Sequence, residues 1–144
     1  MKLEDIWDLW EADGHMDMTE LSTESLKIPL LHHKYYRLYI QEGLTFRKYE
    51  QEYKTLYKLK HEYYTGVLDK ATLEERGWVP NPLKILRQDM PVYMESDPDI
   101  QLIQAKIDIQ KQKVSFLESA IKTIVNRGFL IKNVIDWERF KSGA

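Results

Sequence analysis

The chain has 144 residues, enough for one domain or for one domain with an oligomerisation arm. Its 43% hydrophobic residues argue against disorder, while its 31% charged residues and the lack of a spanning-length apolar run argue against a membrane protein. The absence of cysteine excludes a disulfide framework and a thiolate metal site, and the acidic N-terminus predicts no secretory signal.

The net charge of -2 conceals a strong asymmetry along the chain. Residues 1–27 carry eight acidic and two basic side chains, whereas residues 34–60 carry seven basic and three acidic ones. Eight of the nine tyrosines lie between Tyr35 and Tyr64, in this same basic region. Any binding to nucleic acid would therefore use a local patch, because the net charge is not basic.

Two helices are predicted in the acidic first part of the chain. Residues 3–12 predict a short amphipathic helix that ends at Asp13 and Gly14. A second helix is predicted from near Ser22 to Glu42, with Pro29 as a kink or as its true first turn. Gly43 breaks the pattern, which favours two antiparallel helices, although one continuous bent helix stays open.

The stretch 45–66 predicts a helix with an aromatic face and a basic face, closed by Gly66. Cations that alternate with tyrosines supply charge for phosphates and flat rings for bases, as single-stranded nucleic acid requires. A solvated charged face over a tyrosine-rich core is the open alternative. The candidate nucleic-acid-binding residues read from this pattern are Arg47, Lys54, Lys58, His61, Tyr57 and Tyr64.

A proline-rich connector follows one or two further helical turns at residues 69–76. Residues 77–98 have extended character, and residues 92–94 are predicted as a strand-like segment. Asp97 and Pro98 predict the N-cap and first position of a long helix. That helix is predicted to stop at Asn126–Gly128, with Gly128 as a left-handed cap, and Asn133 is predicted to cap a last helix.

Apolar residues of the long helix repeat every seven positions, which predicts coiled-coil-like packing. A second apolar stripe at Leu102, Ile109 and Phe116 gives the helix two neighbours, which favours a ring, barrel or bundle over a two-stranded coil. The apolar C-terminal helix is expected to dock as well. The predicted oligomerisation residues are Ile100, Ile103, Ile107, Val114, Leu117, Ile121, Ile124, Phe129, Trp137 and Phe140.

Motifs of known catalytic chemistry are missing from the sequence. It contains no phosphate-binding GxxxxGK[ST] loop, no GxGxxG turn, no HExxH and no GxSxG. His32 and His33 point in different directions on a helix and cannot chelate a metal together. We therefore expect a protein that is not an enzyme, with no cofactor, no catalytic residue and no metal site.

Three stretches taken together resemble a known family. The segments MKLEDI, LYKLKHEYYTG and NRGFLIKNVIDWERFKSG, in this order and spacing, are similar to the UvsY family of recombination mediators of T4-like phages. The C-terminal stretch is the closest match, and Lys58-x-Lys60 followed by Tyr63 and Tyr64 is the second. The family motif is Lys-x-Arg at this point, so Lys60 departs from it, keeping charge but losing bidentate phosphate geometry.

The resemblance implies a function, partners and further site residues. It adds Lys60 to the candidate DNA-binding residues, and it makes Lys58 and Lys60 the two residues that are expected above the others to bind DNA. It implies a homo-oligomeric ring or open barrel of six or more subunits that binds single-stranded DNA. It also implies contacts with the phage RecA-like recombinase, which it helps to load, and with the phage single-stranded-DNA-binding protein, in the cytoplasm of the infected bacterial host.

The predicted architecture is all-α, a helical protomer with a long C-terminal oligomerisation helix and a short terminal helix. Residues 1–76 are expected to form a helical region with the DNA-binding helix, 77–96 the connector and 97–144 the coiled-coil-like oligomerisation region. The alternative function is a helical oligomeric adaptor or structural protein without direct DNA binding, using the acidic N-terminal helix as its docking surface.

Overall fold

A computed structural model describes residues 1–80 and 85–143, and these residues form six α-helices and one short 3-10 turn. These elements confirm the predicted all-α class. No helix within the described ranges is both long enough and apolar enough to cross a bilayer. The elements are α1 (Leu3–Gly14), α2 (Leu21–Thr65), α3 (Lys70–Arg76), the 3-10 turn (Arg87–Asp89), α4 (Met90–Ser96), α5 (Pro98–Val125) and α6 (Arg127–Ser142).

Helix α2 runs without interruption through Pro29 and Gly43 for 45 residues. The prediction of two antiparallel helices was therefore wrong, and the alternative of one continuous helix is the one observed. A glycine in a helix interior costs only about 1 kcal/mol relative to alanine, which the neighbouring helix-forming residues offset. Pro29 lies beyond the first turn, so it removes one backbone hydrogen bond without ending the helix.

The predicted strand-like segment at residues 92–94 was also wrong, because these residues belong to α4. Pro91 lies in the first turn of α4, where its missing N–H costs no hydrogen bond. Met90 and Met94, four residues apart on one face, are both buried and fix the helix against its neighbours. Part of the predicted connector, residues 81–84, lies outside the described residues.

Helix α6 begins at Arg127, so the predicted cap at Gly128 and helix start at Asn133 were wrong. Gly128 has no positive φ and continues the helix. Arg127 is buried, and its Nη2 donates a hydrogen bond to the backbone oxygen of Asp13 at 2.6 Å. This long-range bond holds the first turn of α6, and no local sequence pattern reveals it.

Other predicted elements were confirmed. Helices α1 and α3 occupy the predicted stretches, and α2 ends beside Gly66, whose φ of 77° is the left-handed conformation of a C-cap. Asp97 caps α5 as predicted, because its Oδ1 accepts hydrogen bonds from the N–H groups of Asp99 at 2.9 Å and Ile100 at 3.1 Å.

The chain forms two compact units, whose boundaries do not coincide with the three predicted regions. The first unit comprises residues 1–44 and 109–144. Its core joins Ile6 of α1 and Tyr35 of α2 to Leu117, Ala120 and Ile124 of α5. Side chains from three helices therefore close this core.

A polar cluster lies beside this core, around Asp13. Tyr35 donates its hydroxyl hydrogen to Asp13 Oδ2 at 2.8 Å, and Lys34 Nζ lies 2.7 Å from the same oxygen. Burial alone would raise the pKa of Asp13, but these hydrogen bonds and the charges of Lys34 and Arg127 outweigh it, so the pKa is lowered. The cluster thus holds α1 to α2 with a charged carboxylate.

The second unit comprises residues 45–108. Met90, Met94 and Ile100 form its buried core, with Tyr53 and Leu56 of α2 packed against it. The aromatic face predicted from the sequence turns inward, and all of its residues are half-buried: Phe46, Tyr49, Tyr53, Leu56 and Tyr63. The basic face of α2 is left on the surface as a result.

Candidate nucleic-acid interface

Three cationic side chains and one histidine lie on one exposed face of α2, which we call the cationic ridge: Arg47, Lys54, Lys58 and His61. Helical geometry places the four within an arc of about 60°. None of them forms an ion pair with a residue in the described part of the chain. The ridge therefore presents its charges to the solvent without an ion pair to any described residue.

Tyr57 flanks the ridge and is 42% exposed. Its ring packs at a tilt against Tyr53, with 5.9 Å between centroids, and Tyr53 in turn contacts the core. The exposed ring therefore packs on Tyr53, which is itself packed against the core. This placement suits a stacking surface next to phosphate-binding cations.

Lys60 lies on the opposite side of α2 from Lys58, because residues two apart on a helix point about 200° apart. It is 5% exposed, and its Nζ lies 2.8 Å from Asp99 Oδ2 and 3.2 Å from Asp97 Oδ2. The Trp78 ring covers it, with 4.0 Å from Nζ to the ring centroid. The structure therefore places Lys60 in the interior, apart from the other candidate cations.

Tyr64 belongs to the same buried network. Its hydroxyl donates a hydrogen bond to Asp97 Oδ2 at 2.5 Å, and its ring contacts Tyr93 and Tyr63. Burial and then the bond to Asp97 raise the pKa of Tyr64 well above its usual value of 10.0. Tyr64 is only half-buried, but its hydroxyl is committed to the fold.

A groove runs beside the ridge within the second unit. It consists of two adjoining clefts of about 450 and 290 Å³ that share Leu56, Arg76 and Ile103. Helix α2 contributes Lys48 and Gln51 to one cleft, while Trp78 and Lys106 line the other. The sequence reasoning selected none of these polar and aromatic residues. The adjacency of Arg76, Gly77 and Trp78, a cation and a ring around a C-cap glycine, is the signal that could have found them.

The predicted oligomerisation residues fall into two groups. Ile100, Ile103, Ile107, Leu117 and Ile124 are buried within their own chain, and Val114 and Ile121 are half-buried there. The heptad face of α5 is therefore already packed in a single protomer. By contrast, the three aromatic residues of α6, Phe129, Trp137 and Phe140, are exposed.

Comparison with known proteins identifies relatives over nearly the whole chain. The sequence profile of a family described as "Recombination, repair and ssDNA binding protein UvsY" matches residues 9–144. The protein named "Recombination protein uvsY" of Enterobacteria phage T4 is 22% identical over 143 residues, which cover 99% of each chain.

Solved structures give the same result for the fold. Crystal structures of the bacteriophage T4 recombination mediator protein UvsY in two lattice types each superpose with a TM-score of 0.85 at 22% identity. The first covers 99% of this chain and 98% of the other, and the second covers 97% and 99%. At this identity the match establishes a shared helical fold.

Proposed function

The chain belongs to the UvsY family of recombination, repair and single-stranded-DNA-binding proteins, and from this premise we propose that its cationic ridge is the surface that binds the strand. The observation that carries the proposal is the set of exposed charges on one face of α2, none of which forms an ion pair with a described residue. Phosphate contacts from such a face supply most of the affinity for nucleic acid without reading sequence. Tyr57 adds an exposed ring on which a base can stack.

We propose further that the protein is a recombination mediator that helps a phage RecA-like recombinase replace the single-stranded-DNA-binding protein. The sequence contains no phosphate-binding loop, so the proposed mechanism depends on differential affinity rather than on catalysis. A strand that is bound along the ridges of several subunits is held in one path. The single-stranded-DNA-binding protein binds a strand in this path weakly, whereas the recombinase binds it well. This activity would operate in the cytoplasm of the infected host.

Assembly into a homo-oligomeric ring or open barrel of six or more subunits completes the proposal. The exposed aromatic residues of α6 support it, since large apolar patches on a surface mark interaction sites. Repetition of one modest ridge per subunit raises the effective concentration of the remaining ridges once the first is bound. Membership of a DNA-binding family favours this function over the adaptor alternative.

The ridge is tested by titrating fluorescent oligo-dT across a series of salt concentrations. The triple variant Arg47→Ala, Lys54→Ala, Lys58→Ala should bind more weakly, and its slope of log affinity against log salt should be shallower by about 2, at roughly 0.7 for each lost contact. The matched control is Lys111→Ala, Lys122→Ala, Lys132→Ala, which removes three exposed charges elsewhere and should behave like the wild type. An unchanged slope in the ridge variant would rule out the ridge.

A further inference from the structure

We propose that the groove beside the ridge is a second, aromatic subsite for the same strand, in which one base stacks on Trp78 while cations hold the flanking phosphates. The inference rests on the proposed single-stranded-DNA binding and extends it to residues outside α2. The two clefts together are large enough for a nucleotide, since small-ligand sites span roughly 300–1,000 Å³.

The charges of the groove favour a polyanion. Lys48, Arg76 and Lys106 line it, and none of the three pairs with an acidic side chain in residues 1–80 or 85–143. Two carboxylates also line it, but Asp99 is already paired with Lys60 at 2.8 Å. Among the described residues of the groove, three cations without an ion pair therefore face one carboxylate without one, that of Glu52.

Trp78 is held in place before any strand arrives. Gly77, with a φ of 69°, turns the chain at the end of α3, and the Trp78 N–H donates to the Leu73 oxygen at 3.0 Å. Lys60 lies 4.0 Å from the centre of the ring, and the Tyr63 ring meets it edge-on at 5.4 Å. A ring fixed from several sides loses little entropy when a base stacks on it. This contact gives the buried Lys60 a role as a positioning residue.

A path for the strand connects the groove with the ridge. Both lie in the unit of residues 45–108, and α2 contributes to both. Gln51 of the groove follows Arg47 by one helical turn, so it lies next to the ridge. Arg76, whose guanidinium carbon is 5.9 Å from the centre of the Trp78 ring, is placed to bind the phosphate beside a stacked base. An acidic peptide would pair with the cations of the groove, but it would supply no base to stack on the Trp78 ring.

The test compares oligo-dT with a strand of equal length whose residues lack bases. Trp78→Ala should lose about tenfold in affinity for oligo-dT and almost none for the abasic strand, because only the former offers a ring to stack. Its salt slope should stay that of the wild type. Arg76→Ala should instead flatten the slope on both strands by roughly 0.7, while Lys111→Ala, a charge on α5 that does not line the groove, should leave both unchanged.

Trp78→Phe keeps an aromatic ring and should retain most of the affinity for oligo-dT. It is the control that separates loss of stacking from loss of folding. Two results would overturn the groove alone. In one, Trp78→Ala loses the same affinity for both strands. In the other, Trp78→Ala and Arg76→Ala behave like the wild type while the ridge variant is impaired. Failure of the wild type to bind oligo-dT would overturn the proposed function itself. Binding of polyglutamate with the same dependence on Trp78 would assign the groove to an acidic protein partner and overturn the inference.

Discussion

Two lysines only two residues apart, Lys58 and Lys60, are predicted to have different roles. Lys60→Met removes the cation of a buried ion pair and leaves Asp97 without it, which should lower the free energy of unfolding by about 3 kcal/mol. Lys58→Met removes an exposed charge and should change the stability by less than about 0.5 kcal/mol. Urea denaturation followed by circular dichroism measures both.

The same two variants should show the opposite pattern in DNA binding, where the salt slope should change for Lys58→Met and not for Lys60→Met. Lys58→Met should flatten the salt slope for oligo-dT by roughly 0.7, as one phosphate contact is lost. Lys60→Met should keep the slope of the wild type, because its ammonium group is bonded to carboxylates inside the protein. A flattened slope for Lys60→Met with unchanged stability would contradict the interior placement.

The carboxyl of Asp97 predicts sensitivity to acid. Burial alone would raise its pKa, but hydrogen bonds from Tyr64 and the Ile100 N–H, together with Lys60, outweigh burial and lower the pKa from 3.8. A group whose pKa is lower in the folded state stabilises the fold fully above its unfolded pKa, and this stabilisation is lost as pH falls through the folded value. The urea midpoint should therefore decline below about pH 4.

Asp97→Asn is the variant that tests this assignment. Asparagine can still cap α5, but it does not titrate, so the decline of the urea midpoint in acid should be shallower than in the wild type. Asp13, whose pKa is also lowered, should account for part of the remaining decline. If the urea midpoint declined identically in acid for the variant and the wild type, Asp97 would be excluded as a cause of the decline.

At the scale of elements, the continuity of α2 can be tested with two glycines. Gly43→Ala should raise the free energy of unfolding by about 0.5–1 kcal/mol, because a β-carbon there meets nothing within 4 Å and alanine favours the helix. Gly66→Ala should lower it by about 1 kcal/mol, because the φ of 77° is costly for any residue with a β-carbon. Thermal unfolding measures both, and a destabilising Gly43→Ala would indicate a turn at that position.

Helix α5 shows what its sequence could and could not predict. The seven-residue repeat predicted correctly that Ile100, Ile103, Ile107 and Leu117 lie on one buried face. It could not identify the partner, because periodicity records which side avoids water and not what covers that side. The covering surface comes from residues of the same chain, as when Gln110 Nε2 donates to the backbone oxygen of Glu42 at 2.8 Å.

The candidate interface was predictable to a similar degree. The ridge followed from helical spacing, since every one of its residues lies on a single exposed face of α2. Helical spacing put Lys60 in register with the aromatic face, where the sequence suggested that the face ends before it or that its side chain reaches outward. Its burial among Asp97, Asp99 and Trp78 could not be predicted, because these residues are distant in sequence and meet it only in the folded unit. Likewise, the first turn of α6 depends on a hydrogen bond between Arg127 and Asp13, 114 residues apart.

For the whole molecule, the proposed assembly is expected to depend on α6 more than on the heptad face of α5. Leu117 is fully buried in its own protomer, so Leu117→Asn should unfold the chain, seen as loss of helical circular dichroism, and would reveal nothing about assembly. Trp137 and Phe140 are 57% and 73% exposed and stack with 5.5 Å between centroids. Their removal should leave the protomer folded.

The double variant Trp137→Ala, Phe140→Ala should therefore shift the particle in light scattering to a smaller mass with an unchanged circular dichroism spectrum. Leu26→Ala with Leu30→Ala, which removes exposed apolar surface from α2, is the control and should keep the original mass. Because each subunit keeps its ridge, smaller particles should bind oligo-dT more weakly through loss of effective concentration. An unchanged mass in the α6 variant would mean that another surface joins the subunits.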